Sequence, residues 1–324
     1  MTGPRDYDYL VTGGAGFIGS HLCEHLLSGG NSVLVLDDLS TGCLSNLDLC
    51  TGNERFRFVV GSVLDESLAR GLVNQCRRVV HLAAAVGVEN IIRQPVETIE
   101  TNIRGTENIL KAAGTEDTPV FIASTSEVYG KSDDIPFRED GDIVLGATSR
   151  SRWSYACSKA ADEFLALAYH KAKGLPVIIG RLFNTVGPRQ SGRYGMVLPR
   201  FIEQAKAGRP MTVFGNGRQT RCFSLVNEVV EAIAALMEEP EAVGRVINIG
   251  STQEISILDL AGRVKLISES DSEILLVPYD EAYPTDFEDM QRRVPDVSLI
   301  RRLIGTSPST DIDGIIRAIL SSRS

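Results

Sequence analysis

A tyrosine and a lysine stand four positions apart in the segment RWSYACSK, residues 152–159. On a helix, residues i and i+4 lie next to each other on one face, so Tyr155 and Lys159 would be neighbours there. A nearby ammonium favours the phenolate and lowers the pKa of a phenol from its ordinary value of about 10. The pair could therefore serve as a general base. Because this spacing is common, the pair alone is more typical of a surface pair on an amphipathic helix.

A glycine-rich segment, VTGGAGFIGSH, follows the first β-branched run and carries Gly13, Gly16 and Gly19. Glycines at this spacing allow a tight turn and a close approach to a pyrophosphate, and the following helix N-terminus attracts negative charge. Asp37 ends the next predicted strand. A carboxylate there accepts hydrogen bonds from the adenosine ribose and repels a 2′-phosphate. The pattern predicts a dinucleotide site that prefers NAD(H) to NADP(H).

The same helix contains HLCEH, residues 21–25, which matches the H-x-x-E-H zinc motif. We expect no metal there, because that helix is already committed to the pyrophosphate. The six cysteines form no C-x-x-C pair, and we expect them to be reduced thiols.

Short β-branched runs alternate with amphipathic stretches through the first half of the chain. The predicted strands are 8–14, 31–38, 55–62, 77–84, 119–126 and 176–183, and the predicted helices include 17–29, 97–113 and 154–173. This alternation predicts an α/β fold with a doubly wound parallel sheet of the Rossmann type. The rhythm breaks at 185–222, which is rich in Gly, Pro and Arg, and resumes with a helix at 227–238 and a strand at 245–250.

This interruption of the alternation of strands and helices predicts that the chain forms two structural units. We expect an NAD-binding Rossmann domain over residues 1–184, which also takes in about 224–250. A smaller C-terminal substrate-binding lobe would then span 185–324, with the tail 251–324 as its second contribution.

Composition restricts the partners. The chain has 324 residues, of which 43% are hydrophobic and 23% charged, as in ordinary globular proteins. Its net charge of −9 argues against binding to a nucleic-acid backbone. No apolar run approaches the ~20 residues that span a membrane, and the N-terminus has no signal-peptide pattern. We therefore expect a cytoplasmic protein without membrane or nucleic-acid partners.

The ordered motifs together resemble the extended short-chain dehydrogenase/reductase family, the NAD-dependent nucleotide-sugar epimerases, dehydratases and decarboxylases. In chain order they are TGGAGFIG, HLAA, TNIRGT, STSEVYG, Tyr155-x-x-x-Lys159, RLFNTVGPRQ, GNGRQTRCF and RRVPD. STSEVYGK, RWSYACSK and FEDMQRRVPDVSLIRRLIG are most similar to UDP-glucuronate decarboxylases and UDP-apiose/UDP-xylose synthases. The segment AVGVENIIRQ, residues 85–94, departs from the proline-rich or aromatic loop usual in those decarboxylases, so the sugar stays open.

The resemblance implies a reaction in which bound NAD⁺ takes a hydride from C4 of the sugar. Tyr155 would then remove the C4 hydroxyl proton, while Lys159 lowers the pKa of Tyr155 and holds the nicotinamide ribose. Thr125 would hydrogen-bond O4. Glu127, with Ser126 before it, is expected near C5 and C6, where a carboxylate can move a proton or order a water. Glu127 could instead hydrogen-bond the following loop.

The resemblance also implies the contacts of cofactor and substrate. Ser62 stands where the family usually has an aspartate for the adenine amine, so that contact would be weaker or made by the backbone of Val63. Expected cofactor contacts are Gly13, Gly16, Phe17, Ile18, Gly19, Asp37, Ser62, Val63, Ala83, Tyr155 and Lys159. Expected substrate contacts are Asn184, Val197, Arg221 and Arg293. Asn184 matches the asparagine that contacts the diphosphate, and the two arginines would grip phosphate or ribose.

The first functional hypothesis is that UDP-glucuronate is oxidised at C4 and loses its C6 carboxylate as carbon dioxide. A nucleotide-sugar 4-epimerase comes next, followed by a 4,6- or 5,6-dehydratase. A non-catalytic NAD-sensing protein is the alternative from another class. By resemblance, the helices around 97–113 and 154–173 would pair into the four-helix interface of a homodimer.

Overall fold

The computed structural model describes residues 5–86, 94–192, 196–278, 281 and 290–322. The strands are β1 (Tyr7–Thr12), β2 (Val33–Asp37), β3 (Phe56–Val60), β4 (Cys76–His81), β5 (Val120–Thr125), β6 (Val177–Leu182), β7 (Thr185–Val186), β8 (Met211–Phe214), β9 (Thr220–Cys222), β10 (Ser224–Leu225), β11 (Arg245–Ile249), β12 (Glu254–Ser256) and β13 (Ile274–Val277). The α-helices are α1 (Phe17–Ser28), α2 (Glu66–Val73), α3 (Pro95–Glu116), α4 (Arg152–Lys173), α5 (Val197–Lys206), α6 (Val226–Met237), α7 (Ile257–Ile267), α8 (Ser298–Ile304) and α9 (Ile312–Ser321).

A parallel sheet of seven strands runs through the described part of the chain in the order β11-β6-β5-β4-β1-β2-β3. The order reverses between β1 and β4, and in open α/β sheets such a reversal forms a ligand crevice at the carboxyl ends of the strands. Each predicted strand and helix lies within three residues of an observed element. The predicted Rossmann-type α/β fold is therefore confirmed.

Two hydrophobic clusters cover the two faces of the sheet. On β1, Tyr9 and Val11 belong to one cluster and Leu10 to the other, because successive strand residues point to opposite faces. Helices α1, α6 and α8 cover the first face, and α2, α3 and α4 cover the second. Strands buried on both faces explain the continuous β-branched runs in the sequence.

A third cluster lies outside the sheet and joins α5, β8, α7 and α9. Small strand pairs accompany it: β9 with β12, β8 with β13, and β7 with β10. Helix α8 comes from the same tail but packs against β11 and α6, with Ile300 and Leu303 in the first cluster. The division into 1–184 and 185–324 stays a prediction.

Two expectations concern particular segments. Most of the unusual loop 85–94 lies outside the described residues, because 87–93 are not among them. None of the helices described is both long enough and apolar enough to cross a membrane.

Candidate active site

A cavity of about 780 Å³ opens at the carboxyl ends of the sheet strands, where it meets α5, α7 and β8. Among the described residues, Ser62 is the one predicted contact that does not line this cavity. Its hydroxyl accepts a hydrogen bond from the Leu64 amide at 3.3 Å, while Gly61 and Val63 on either side do line the cavity. The other predicted residues are brought together there: Gly13, Gly16, Phe17, Ile18, Gly19, Asp37, Val63, Ala83, Thr125, Ser126, Glu127, Tyr155, Lys159, Asn184, Val197, Arg221 and Arg293.

The glycine turn between β1 and α1 is built from backbone. Gly13 has a φ of +72°, and a Cβ there would lie 2.8 Å from the backbone nitrogen of Ala83. A Cβ at Gly19 would overlap the carbonyl oxygen of Gly13. Gly16 is the N-cap of α1 and supplies no side-chain cap, so the first amides of the helix keep their capacity for an anion. The turn therefore fits the pyrophosphate of a dinucleotide.

Asp37 lies at the end of β2 on the cavity wall, where its carboxylate is fixed by two amides. One oxygen accepts from Ala15 N–H at 2.9 Å and the other from Leu39 N–H at 2.8 Å. Burial raises the pKa of Asp37, while these two hydrogen bonds oppose that shift. Each carboxylate oxygen has a second lone pair, which suits a ribose hydroxyl.

Tyr155 and Lys159 lie one turn apart on α4, and both line the cavity. Tyr155 is half-buried, whereas Lys159 is only 2% exposed. The Lys159 Nζ donates to Asp162 Oδ2 at 2.7 Å. Asp162 is fully buried, and burial raises its pKa. Asp162 was not predicted, although its i+3 spacing from Lys159 was a signal for the pair.

His81 ends β4 behind the same lysine. Its Nδ1 lies 2.7 Å from the hydroxyl of Thr12, and its Nε2 lies 3.3 Å from the hydroxyl of Thr106. Burial, and then the charge of Lys159, lower the pKa of His81 to about 3. The ring is therefore neutral at ordinary pH. The HLAA motif located His81 in the chain but did not indicate that its ring would be buried and neutral.

Thr125 is the last residue of β5, and Ser126 and Glu127 follow it directly. The Thr125 hydroxyl accepts from the Glu127 amide at 3.3 Å. Ser126 is 1% exposed, and its hydroxyl has no hydrogen-bond partner among the described residues. A buried hydroxyl without a partner costs free energy, which a bound ligand can recover. Glu127 Oε1 lies 3.6 Å from Nη1 of Arg293. Arg293 was predicted as a phosphate or ribose contact, so its place beside Glu127 is new.

Asn184 and Arg221 lie on two neighbouring segments of the cavity wall. Asn184 follows β6 with a φ of +33°, a left-handed conformation that Asn tolerates better than most residues. Its amide donates to the carbonyl of Cys222 at 2.8 Å, which ties it to β9. Arg221 on β9 is buried and donates to the carbonyl of Thr220 at 2.7 Å. Val197 begins α5 on the same wall.

A buried ion pair supports the end of β5, and it was also missed from the sequence. Arg181 on β6 donates to Glu163 at 2.7 Å, and Ser124 donates to the same carboxylate. The Arg181 guanidinium also lies 4.6 Å from the ring centre of Tyr129. Charged residues are rarely buried unless paired, so each of them alone indicated a surface position.

Two side chains of the H-x-x-E-H motif on α1 contact other groups of the protein. Glu24 forms a salt bridge with Arg189, and His21 Nδ1 lies 2.9 Å from the carbonyl of Phe17. Within the part of the chain that the structure describes, no three His, Cys, Asp or Glu side chains are grouped closely enough to hold a metal ion.

The chain matches the family model of GDP-mannose 4,6 dehydratase over residues 10–319. It is 45% identical over 301 residues to the UDP-N-acetyl-alpha-D-glucosaminuronate decarboxylase of Bacillus cytotoxicus, which covers 93% of this chain and 92% of the relative. It is 35% identical over 307 residues to the UDP-glucuronic acid decarboxylase 1 of Xenopus tropicalis, which covers 94% of this chain and 69% of the relative. These matches confirm the resemblance drawn from the motifs.

A solved structure is similar over nearly the whole chain. It is the UDP-glucuronic acid 4-epimerase from Bacillus cereus in complex with UDP-glucuronic acid and NAD. The TM-score is 0.86 at 29% identity, with 96% of this chain and 97% of that chain covered.

Proposed function

The chain belongs to the GDP-mannose 4,6-dehydratase family, and we propose that it decarboxylates a UDP-linked hexuronate after oxidation at C4. The observation that carries this proposal is the Glu127–Arg293 ion pair, which lines the same cavity as Tyr155 and Lys159. A guanidinium binds carboxylates well, and a hexuronate carries a carboxylate at C6. The two relatives named as decarboxylases support this class of substrate.

The cofactor of this reaction is NAD, which fits the residues present. The glycine turn and the open N-terminus of α1 would hold its pyrophosphate, and Asp37 its adenosine ribose. When bound, NAD supplies a hydride acceptor at C4 of the sugar and later returns the hydride.

Three side chains of this protein act at C4. Tyr155, as a phenolate, removes the proton of the C4 hydroxyl, and Thr125 holds O4 by a hydrogen bond. Lys159 lies one helical turn from Tyr155, and its ammonium favours the phenolate. The buried position of Lys159 strengthens this effect, because the interior screens charge less than water does.

Arg293, Ser126 and Glu127 act at the other side of the sugar ring. Oxidation at C4 makes the substrate a β-keto acid, whose C5–C6 bond breaks as the ketone accepts the electrons. Arg293 orients the carboxylate that leaves as carbon dioxide, and Glu127 holds that guanidinium in place. The Ser126 hydroxyl supplies a further hydrogen bond to the leaving group. A proton is then required at C5, and we assign Glu127, ionised beside Arg293, to order the water that delivers it.

The 4-epimerase is the second candidate, because the Bacillus cereus structure is named as an epimerase of a uronate. In an epimerase the keto sugar would rotate and keep its carboxylate. Product mass separates the two reactions directly.

The test incubates the purified protein with UDP-glucuronate, UDP-N-acetylglucosaminuronate, UDP-glucose and GDP-mannose in separate reactions. Loss of carbon dioxide from either uronate supports the proposal. An isomer of unchanged mass would indicate an epimerase, and loss of water a dehydratase. If another sugar turns over and neither uronate releases carbon dioxide, decarboxylation is wrong. No turnover of any sugar would favour the NAD-sensing alternative.

A homodimer in the cytoplasm completes the proposal. Phe164 on α4 is 70% exposed and Val96 on α3 is 67% exposed, and these two helices pack against each other. Exposed apolar side chains on adjacent helices suit a second copy of the chain. In sedimentation velocity, Phe164→Glu should give a monomer while the matched change Leu266→Glu on α7 leaves the dimer. A monomeric wild-type protein would contradict this.

A further inference from the structure

A carboxylate lies buried behind the proposed base. Asp162 is 0% exposed and accepts a hydrogen bond from the Lys159 ammonium at 2.7 Å. In a medium that screens charge weakly, removing one partner of such a pair leaves an uncompensated buried charge. A lysine left in that state tends to lose its proton.

The other groups around this pair do not replace Asp162. His81 faces Lys159 from β4, and burial holds its pKa at about 3, so it carries no charge. Glu163, the next residue on α4, is engaged by Arg181. Thr106 on α3 is an uncharged hydroxyl that faces His81. Within the described residues, Asp162 is the one carboxylate in a salt bridge with Lys159.

We propose that Asp162 is a positioning residue, which keeps Lys159 charged and in place and thereby sets the pH at which Tyr155 becomes a phenolate. This inference rests on the proposed role of Tyr155 as the base. Among the described residues, Lys159 lines the cavity and Asp162 does not. Asp162 therefore acts through Lys159 and not on the substrate.

The charge on Lys159 links the two residues. If Lys159 stays protonated, its positive charge favours the phenolate of Tyr155 on the preceding turn. If Lys159 loses its proton, that stabilisation is lost and Tyr155 needs a higher pH to ionise. Asp162 therefore controls the acid limb of the pH–rate profile rather than the geometry of the substrate.

The test compares Asp162→Asn with Asp162→Glu. The Asn variant keeps size and a hydrogen-bond acceptor but removes the charge, whereas the Glu variant keeps the charge. Asp117→Asn, at an exposed position after α3, is the matched control for loss of one negative charge. The readouts are kcat/KM against pH, the absorbance of tyrosinate against pH, and the NAD content of the purified protein.

For Asp162→Asn we expect the acid limb and the tyrosinate titration to move upward by at least about one pH unit. Turnover should fall at least about tenfold at low pH and recover at high pH. Asp162→Glu and Asp117→Asn should keep the wild-type limb. If kcat falls equally in both Asp162 variants with no shift of the limb, the role is merely structural and the inference is wrong. A downward shift would also overturn it.

Tyr155→Phe separates this inference from the proposed function. If that variant keeps its turnover, Tyr155 is not the base and the proposed mechanism fails. If it is inactive and the limb of Asp162→Asn is unchanged, only the role of Asp162 fails. Should Asp162→Asn not fold, Asp162→Ser is measured in its place, because it also removes the charge, and the same upward shift is expected.

Discussion

At the glycine turn the wall of the cavity is backbone, whereas at the end of β5 it is a set of charged and polar side chains. The turn is fixed by Gly13 at a φ of +72° and by close packing against Ala83. The other end depends on Glu127 and Arg293, whose charged atoms lie 3.6 Å apart, and on the buried hydroxyl of Ser126. A backbone wall tolerates the loss of one side chain, but a wall of side chains does not.

This difference separates binding from chemistry. Backbone amides recognise a pyrophosphate through many weak contacts, so each contributes a part of the affinity. A proton acceptor or a carboxylate clamp acts in the transition state, where one group can change the rate by orders of magnitude. We call the glycine turn with Asp37 the cofactor end of the cavity, and the end of β5 with Tyr155 and Arg293 the reacting end. Variants of the reacting end should therefore have larger effects than variants of the cofactor end.

The largest effect is expected for Tyr155→Phe, which removes the proton acceptor and almost no volume. Turnover should fall about a thousandfold, while binding of the nucleotide sugar stays near wild type. Steady-state rates and calorimetric binding measure the two quantities. Tyr169→Phe, on the same helix but outside the cavity lining, is the matched control and should keep its activity. A Tyr155 variant with most of its activity would remove this residue from the mechanism.

Arg293→Lys should have the next largest effect. Lysine keeps the charge but loses the planar pair of donors that matches a carboxylate. Release of carbon dioxide should fall about 10- to 100-fold, with the NAD content unchanged. The control is Arg292→Lys at the adjacent residue, which is exposed and paired with Glu254. No loss in Arg293→Lys would mean that Arg293 contributes its charge alone, and equal losses in both variants would mean that the effect is not specific to Arg293.

Asp37→Asn tests the cofactor end and should have a smaller effect. It removes the charge that repels a 2′-phosphate, so the preference for NAD(H) over NADP(H) should fall about tenfold. Asp37→Ala should weaken NAD binding further, because it also frees the Ala15 and Leu39 amides. Titration of both cofactors measures the ratio, and Asp48→Asn at an exposed site is the control. Equal wild-type affinity for NADP(H) would refute the role of Asp37.

The two ends also differ in how well the sequence predicts them. The glycines and Asp37 are near each other in the chain, and Tyr155 and Lys159 share one helix turn. Local spacing was therefore enough to bring them together. Ser62 shows the limit of a match by position, since its hydroxyl is used by the Leu64 amide.

Contacts between distant segments could not be predicted from spacing. Glu127 follows β5, while Arg293 precedes α8, and only the packed chain makes them neighbours. The sequence assigned Arg293 to phosphate or ribose and not to Glu127. The buried charges of Asp162 and Arg181 were missed for a related reason, because a charged residue in isolation indicates a solvent-exposed position.

The smallest effect is expected for the stability of the protein against acid, and it involves His81, whose ring contacts Thr12 on β1 and Thr106 on α3. Its pKa in the native protein is about 3, whereas an unfolded histidine has a pKa of about 6.5. Between these values the unfolded chain binds a proton that the native protein does not. Stability from the neutral ring is therefore complete above about pH 6.5 and is lost as the pH falls toward 3. From pH 7 to pH 5.5, one such group costs about 1 kcal/mol of unfolding free energy.

Urea unfolding of wild type and His81→Gln at pH 7 and pH 5.5 measures this term. Glutamine can still offer a donor and an acceptor to Thr12 and Thr106, but it does not titrate. Burial also lowers the pKa of His21, which shifts stability in the same direction. His21 is present in both proteins, so the difference between their pH dependences isolates His81. The variant should be less stable at pH 7 but lose about 1 kcal/mol less on acidification. If it loses as much as wild type, other groups cause the acid sensitivity, and the pKa of His81 is not lowered in the native protein.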